Sequence, residues 1–272
     1  MKFFSTRGKS EVNSAAEAIV KGLADDGGLF VPEYFPDFST KITDMLSMSF
    51  YERASLVLGA YLEEYEKHEL LASCKAAYSA FEDEDPAPVV KIDDNFFITE
   101  LFHGPTLAFK DVALTVLPYL LKKGAEIIGI KEKVLVLVAT SGDTGKAALE
   151  GFKNVDGLKI MVFYPTGGVS DIQKLQMSTQ DGDNVNVVSI IGNFDDCQST
   201  VKNIFSDVKF SAELKEKGYL LSSANSINFG RLAPQITYYF STYADLVNAG
   251  EINMGEEIDF VVPTGNFGNI LA

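Results

Sequence analysis

Hydrophobic positions along the chain change their period near residue 88. Up to that point apolar residues recur at helical spacing. Ser14 to Leu23 predicts a short helix that breaks at Asp25-Asp26-Gly27-Gly28, and Leu29-Phe30-Val31-Pro32 leads out as an extended piece. Two further helices are predicted, from Ser49 to about Leu58 and from about Glu63 to Ala80. The acidic run from Glu82 to Asp85, followed by Pro86 and Pro88, reads as a solvated linker. Beyond it short apolar runs alternate with amphipathic ones. Lys133–Ala139, Leu158–Pro165, Asn186–Ile191 and Tyr219–Ser223 read as strands, the first so continuously apolar that it suits a strand covered on both faces. Helices are expected over Val112–Leu120, Thr144–Gly151 and Asp171–Thr179, after Asp195 to about Ser206, and over Leu232–Val247, with a late strand at Asp259–Val262. Strands and helices alternating in this way imply right-handed βαβ units on a parallel sheet. The expected fold class is α/β, with a mainly helical domain over residues 1–88 and a parallel-sheet domain over 89–272.

Composition and charge narrow what such a molecule does. At 272 residues and 46% apolar content the chain can bury a substantial core. A net charge of −15 with no basic stripe argues against a nucleic-acid partner, which needs cations to neutralise phosphates. Cys74 and Cys197 lie far apart and outside any C-x-x-C spacing, so neither a metal site nor a disulfide framework is indicated and a reduced, cytoplasmic setting is expected. The first residues lack the basic and apolar regions of an export signal, and no apolar run approaches the roughly eighteen residues of a membrane span. No membrane partner is expected.

In parallel sheets ligands sit at the carboxyl ends of strands, and the unusual loops of this chain fall there. Phe102-His103-Gly104-Pro105-Thr106-Leu107-Ala108-Phe109-Lys110-Asp111 puts a lysine at the mouth of an apolar helix just after a Gly-Pro turn. Burial there lowers the ammonium pKa, and the neutral amine is the form that attacks a carbonyl, so Lys110 is a candidate Schiff-base nucleophile; a lysine snorkelling from an amphipathic helix is the alternative. Ser141-Gly142-Asp143-Thr144 follows the first strand and opens a helix, where free N–H groups beside hydroxyls suit a carboxylate. It is not a Walker A loop: Gly142 and Gly145 are too close together, and Ala147 stands where a Ser or Thr would hold magnesium. An ordinary helix cap at Ser141 or Asp143 is the plainer reading. Gly265-Asn266-Phe267-Gly268-Asn269 can turn several N–H groups inward as a nest for a phosphate. Asn225, Ser226 and Asn228 precede a helix bearing Arg231 one turn in, where a guanidinium can chelate a second phosphate; an Asn cap with a surface Arg is the alternative.

These motifs, together with Ser5-Thr6-Arg7-Gly8 and Gly22-Leu23-Ala24-Asp25-Asp26-Gly27-Gly28-Leu29-Phe30-Val31-Pro32, resemble those of the threonine synthases, in their longer microbial and fungal subclass. They occur in that family's order along the whole chain. The resemblance implies the fold type II, or tryptophan synthase β-like, architecture of pyridoxal-phosphate enzymes. It also implies conversion of O-phospho-L-homoserine and water to L-threonine and phosphate. Lys110 would hold pyridoxal phosphate and then shuttle protons, with Thr106 near the reacting carbons. Gly265, Asn266, Phe267, Gly268 and Asn269 would take the cofactor phosphate. Ser141, Gly142, Asp143 and Thr144 would take the substrate carboxylate, with Asp143 also against the cofactor hydroxyl. Asn225, Ser226, Asn228 and Arg231 would take the substrate phosphate. A phospho-lyase or a non-catalytic cofactor-binding protein are the competing readings. Members of this subclass are considerably longer, and the sequence ends at Ile270-Leu271-Ala272, where the helix after the phosphate loop should begin. The chain is therefore expected to be an N-terminal piece that lacks the C-terminal part of the fold and the partner of the pyridine nitrogen. Alone it should bind cofactor weakly, turn over no substrate and self-associate, while the full-length protein is expected to be a monomer.

Overall fold

A computed structural model describes residues 1–272. β1 (Phe3–Ser5), β2 (Glu11–Val12) and β3 (Phe30–Pro32) form a small antiparallel sheet in the order β2-β1-β3, which the helical spacing of this region did not predict beyond the extended piece at β3. Between β2 and β3 runs α1 (Ala15–Lys21). Ser14 caps its start by accepting from the Glu17 N–H, and Gly22, at φ 72°, ends it. A Cβ on Gly22 would lie 2.8 Å from the Ser223 nitrogen, so the glycine lets the end of α1 press against the end of the strand Tyr219–Ser223. α2 (Ile42–Met45), α3 (Phe50–Tyr61) and α4 (Lys67–Tyr78) follow. The last begins four residues later than the periodicity suggests because Glu64, inside the expected first turn, instead accepts from the Ala16 N–H.

The stretch after the acidic run is a hairpin of β4 (Val89–Asp93) and β5 (Phe96–Thr99). The expected helix over Val112–Leu120 is two helices, α5 (Asp111–Leu114) and α6 (Leu117–Ile127). Pro118 stands at the start of α6 and has no N–H to give the Leu114 carbonyl, so one continuous helix cannot form. A Cβ on Gly151 would lie 2.1 Å from that same carbonyl oxygen, so a bare glycine allows the close crossing.

The parallel sheet and its helices then wind as the alternation predicts. Its elements are β6 (Lys133–Ala139), α7 (Asp143–Phe152), β7 (Leu158–Pro165), α8 (Asp171–Ser178), β8 (Val185–Ile190), α9 (Phe194–Ser206), α10 (Val208–Glu216), β9 (Tyr219–Ser223), α11 (Phe229–Asn248) and α12 (Gly268–Leu271). The four strands are parallel, in the order β8-β7-β6-β9. Val134, Val136 and Val138 of β6 enter the main core, while Leu137 and Ala139 join Phe163, Cys197 and Val201 in a smaller core on the other face. That two-sided burial is why β6 reads as an unbroken apolar run. The main core draws on both sides of residue 88, from Phe3 to Ala244. Buried Arg53 of α3 crosses between them to a half-buried carboxylate, 2.7 Å from Asp245 of α11.

The expected strand at Asp259–Val262 is not a strand. Val261 is almost fully exposed and Phe260 stacks edge-on against Tyr239 of α11 at 5.0 Å, with no neighbouring strand to supply ladder hydrogen bonds. No helix is long and apolar enough to cross a membrane.

Candidate active site

Lys110 closes the turn before α5 and is only 8% exposed. Its Nζ donates to Asp143 Oδ2 at 3.4 Å and lies 4.7 Å above the Phe109 ring. Burial pushes its pKa below the usual lysine value; the Asp143 carboxylate opposes that fall and the nearby Arg231 adds to it. The turn that delivers it is built on Asp111. The Asp111 carboxylate accepts from the Thr106 N–H at 2.8 Å and from the Thr106 hydroxyl at 2.6 Å, so the Thr106 proton is committed and its lone pairs are left free. Asp111 is fully buried, and that burial raises its pKa. A Cβ on Gly104 would lie 2.5 Å from this carboxylate, which explains the glycine. Leu107, between Thr106 and Lys110, holds φ 59° while 65% exposed, a left-handed conformation that costs a branched residue about 1 kcal/mol or more.

The loop after β6 brings Asp143 to Lys110. Thr140, buried, accepts from the N–H groups of Gly142 and Gly145 at 2.9 Å each and so shapes the whole turn. The residue at the cap of α7 is Gly142, which has no side chain, and it is Thr140 that satisfies a first-turn N–H, that of Gly145. The plainer reading of Ser141 or Asp143 as a cap therefore does not hold. The N–H groups of Ser141, Asp143 and Thr144 find no acceptor in the chain, which leaves a helix N-terminus open toward Lys110. Asp143 is turned by Gln173, whose Nε2 donates to Oδ1 at 2.7 Å.

The four residues expected at a phosphate divide by how their polar atoms are used. Asn225 acts as an extra strand residue: Nδ2 donates to the Ala139 carbonyl at 2.8 Å and Oδ1 accepts from the Ala139 N–H at 3.2 Å. Asn228 caps α11 by accepting from the Gly230 N–H at 2.9 Å, and it donates to the carbonyls of Ile19 and Ser223 at 2.9 and 2.7 Å. Both amides are occupied in holding the loop. Ser226 keeps its hydroxyl against Gly268, whose added Cβ would come within 2.5 Å of it. Arg231 is 1% exposed, has no carboxylate partner, and leaves its Nε without an acceptor. Burial lowers its pKa to about 10. A guanidinium buried without an anion is costly, so this one is poised for an anionic ligand.

In the last loop Gly265, Asn266 and Phe267 are exposed, while Gly268 and Asn269 are buried. The one-turn α12 is fastened rather than loose, because Tyr238 and Tyr239 of α11 both donate to Asn269 Oδ1. Lys110, Asp143, Asp111 and Arg231 thus form one electrostatic group, to which Thr106 is tied through Asp111, while Ser226 lies against the last loop at Gly268. Sequence reasoning gave no role to Asp111, Thr140, Gln173, Gln235 or Tyr238. Asp111 and Thr140 carry a signal, since each sits beside an assigned motif; the other three reach the site only through the fold.

The geometry agrees with what the chain is similar to. Residues 2–78 match the family model described as threonine synthase N terminus, and residues 82–272 match that of pyridoxal-phosphate dependent enzymes. Threonine synthase of Schizosaccharomyces pombe is 40% identical over 281 aligned residues, covering 100% of this chain and 53% of that protein. The Pseudomonas aeruginosa threonine synthase is 39% identical, covering 100% and 56%. The human protein called threonine synthase-like 1 is 42% identical, over 94% of this chain and 36% of its own. Among solved structures, pyridoxal-phosphate-bound threonine synthase from Brucella melitensis superposes with a TM-score of 0.86 at 40% identity, covering 100% of this chain and 56% of that one. The yeast threonine synthase gives 0.83 at 37% identity, over 99% and 54%. The chain spans about half the length of these threonine synthases. On its fold, its site and these matches, the chain belongs to the pyridoxal-phosphate dependent enzyme family.

Proposed function

We propose that this chain carries the cofactor and substrate residues of a threonine synthase, which converts O-phospho-L-homoserine and water to L-threonine and phosphate with pyridoxal phosphate. The observation that carries the reading is the buried Lys110 amine beside Arg231, which lacks any anionic partner. The residues fit the cofactor: an amine of lowered pKa, the free N–H groups at the start of α7, a guanidinium without an anionic partner and a glycine-rich loop supply a carbonyl-reactive group and three anion sites. Pyridoxal phosphate, when bound, supplies an electron sink for carbanions on the amino-acid substrate.

The chain's own groups account for binding and proton movement. Lys110, neutral more readily than an exposed lysine because it is buried, would hold the cofactor through its carbonyl and carry protons at Nζ, with Asp143 at 3.4 Å opposing the fall in its proton affinity. The free N–H groups of Ser141, Asp143 and Thr144 receive the substrate carboxylate. Ser226 and Arg231 receive its phosphate, on a loop that Asn225 and Asn228 hold in shape. Thr106, with its proton committed to Asp111, offers a fixed acceptor near the reacting carbons. Gly265 to Asn269 take the cofactor phosphate.

Incubating the 272-residue chain with pyridoxal phosphate, reducing with borohydride and mapping peptides tests the lysine. The label is expected on Lys110, and a label on any other lysine overturns the assignment. Assaying O-phospho-L-homoserine with the protein that carries this chain tests the reaction. Threonine and phosphate are expected in equal amounts, and 2-oxobutyrate with phosphate would make the enzyme a phospho-lyase instead.

A further inference from the structure

An unbroken line of buried hydrogen bonds joins the first turns of α11 to the start of α12. Arg231 Nη1 donates to Gln235 Oε1, and Gln235 Nε2 donates to the Tyr238 hydroxyl at 3.0 Å. That hydroxyl donates to Asn269 Oδ1, which also accepts from the Tyr239 hydroxyl at 2.8 Å. Arg231, Gln235 and Tyr238 are spaced four and then three residues apart, so they share one face of the helix. All four residues of the line are buried.

Its direction is forced from one end. A guanidinium has only donors, so Gln235 must turn its oxygen to Arg231 and its amide hydrogens to Tyr238. Tyr238 has one proton, and having accepted from Gln235 it gives that proton to Asn269. Asn269 must then turn its oxygen toward the tyrosines. Its Nδ2, which bonds to nothing in the chain, is left as a free donor at the start of α12. The charge of Arg231 thus fixes which way an amide points three side chains away.

We propose that Gln235 and Tyr238 are positioning residues. They orient Asn269 so that its amide hydrogens, with the backbone of the Gly265-to-Asn269 loop, face the cofactor phosphate, and they tie that loop to the anion site at Arg231. This rests on the cofactor reading above and adds two residues to it. A structural clamp on α12 would need the tyrosines but not the direction of the line. Gln235→Glu separates the two roles: it keeps the shape and the bond from Arg231, but a carboxylate cannot donate, so Tyr238 turns its proton to residue 235 and Asn269 loses it. Tyr238→Phe removes the same proton outright.

Titrating the 272-residue chain by absorbance with pyridoxal and with pyridoxal 5'-phosphate reads the phosphate's share of binding without any turnover. Both variants are expected to lower the preference for the phosphorylated aldehyde by about fivefold to thirtyfold, the loss of a buried hydrogen bond or two, while pyridoxal binding stays unchanged. An unaltered preference overturns the proposal, as does equal weakening of both aldehydes, and either leaves the cofactor reading standing. If the unmodified chain itself binds the two aldehydes alike, the loop holds no phosphate and both readings fall. Should Tyr238→Phe fail to fold, the isosteric Gln235→Glu still decides.

Discussion

Lys110 sits among groups that pull its proton affinity in opposite directions. Burial and Arg231 favour the neutral amine, while Asp143 favours the ammonium, and burial wins. The sign follows: between the lowered folded-state pKa and the ordinary 10.5, the unfolded chain binds the extra proton, so this lysine makes stability rise with pH across that window. Below the window its buried charge is a standing cost. For reactivity, the rate of Schiff-base formation with pyridoxal, trapped by borohydride at Lys110 and followed against pH, should inflect below 10.5. Asp143→Asn removes the opposing carboxylate and should move the inflection lower; Arg231→Gln should move it higher. An inflection unmoved by both would mean that solvent sets the lysine's pKa. Lys110 was legible in the sequence because a Gly-Pro turn and an apolar helix together announce a buried lysine. Gln235 was not, because a Gln one turn after an Arg is ordinary on any helix, and only its burial against Tyr238 gives it work.

The loop between β9 and α11 shows how an element can resemble a binding motif and be a joint. Asn228 lies wholly inside, and its amide makes three hydrogen bonds that join the end of β9, the start of α11 and the end of α1. Asn228→Asp keeps the cap oxygen, loses both donors and buries a charge. We expect it to destabilise the chain by about 3 kcal/mol, measured by urea unfolding. Were Asn228 mainly a ligand contact, stability would hold and only anion binding would fall. The same contrast governs what the sequence revealed of the elements. The βαβ part was legible because buried parallel strands are continuous apolar runs, and β6, β7, β8 and β9 all fall close to their expected places. The hairpin of β4 and β5 was overlooked: Asp94-Asn95 is a turn signal, but the apolar run Phe96-Phe97-Ile98 after it lacks the alternation of a half-buried strand. Asp259–Val262 misled for the opposite reason: its pattern is strand-like, but pattern alone supplies no neighbouring strand.

Across the whole molecule, burial is uneven. The main core is closed around α1, α3 and α11, whereas the β4–β5 hairpin turns apolar residues to solvent. Val90 lies opposite Ile98, and Ile92 and Phe96, each more than half exposed, stand beside them. The other contacts of the hairpin hold it to the body: Lys91 reaches Glu251 at 2.7 Å and Thr99 meets Thr242 of α11 at 2.8 Å. The apolar face is therefore presented on a fixed support. Phe260, Val261, Phe267, Ile270 and Leu271 add further exposed apolar surface toward the end of the chain. Contiguous apolar surface on a soluble protein drives association, and an uncovered two-stranded hairpin also offers free strand edges. We expect the 272-residue chain to self-associate with rising concentration in sedimentation velocity, despite a net charge of −15 that opposes it. Added salt should strengthen the association, because screening removes the repulsion and leaves the apolar contact. Replacing Ile92 with Lys and Phe96 with Glu should shift the sedimenting species toward monomer and leave the helical circular dichroism unchanged, since neither side chain belongs to the main core. A chain that stays monomeric at all concentrations, or whose association ignores both substitutions, would show that this hairpin face is not what the molecule uses to meet another copy.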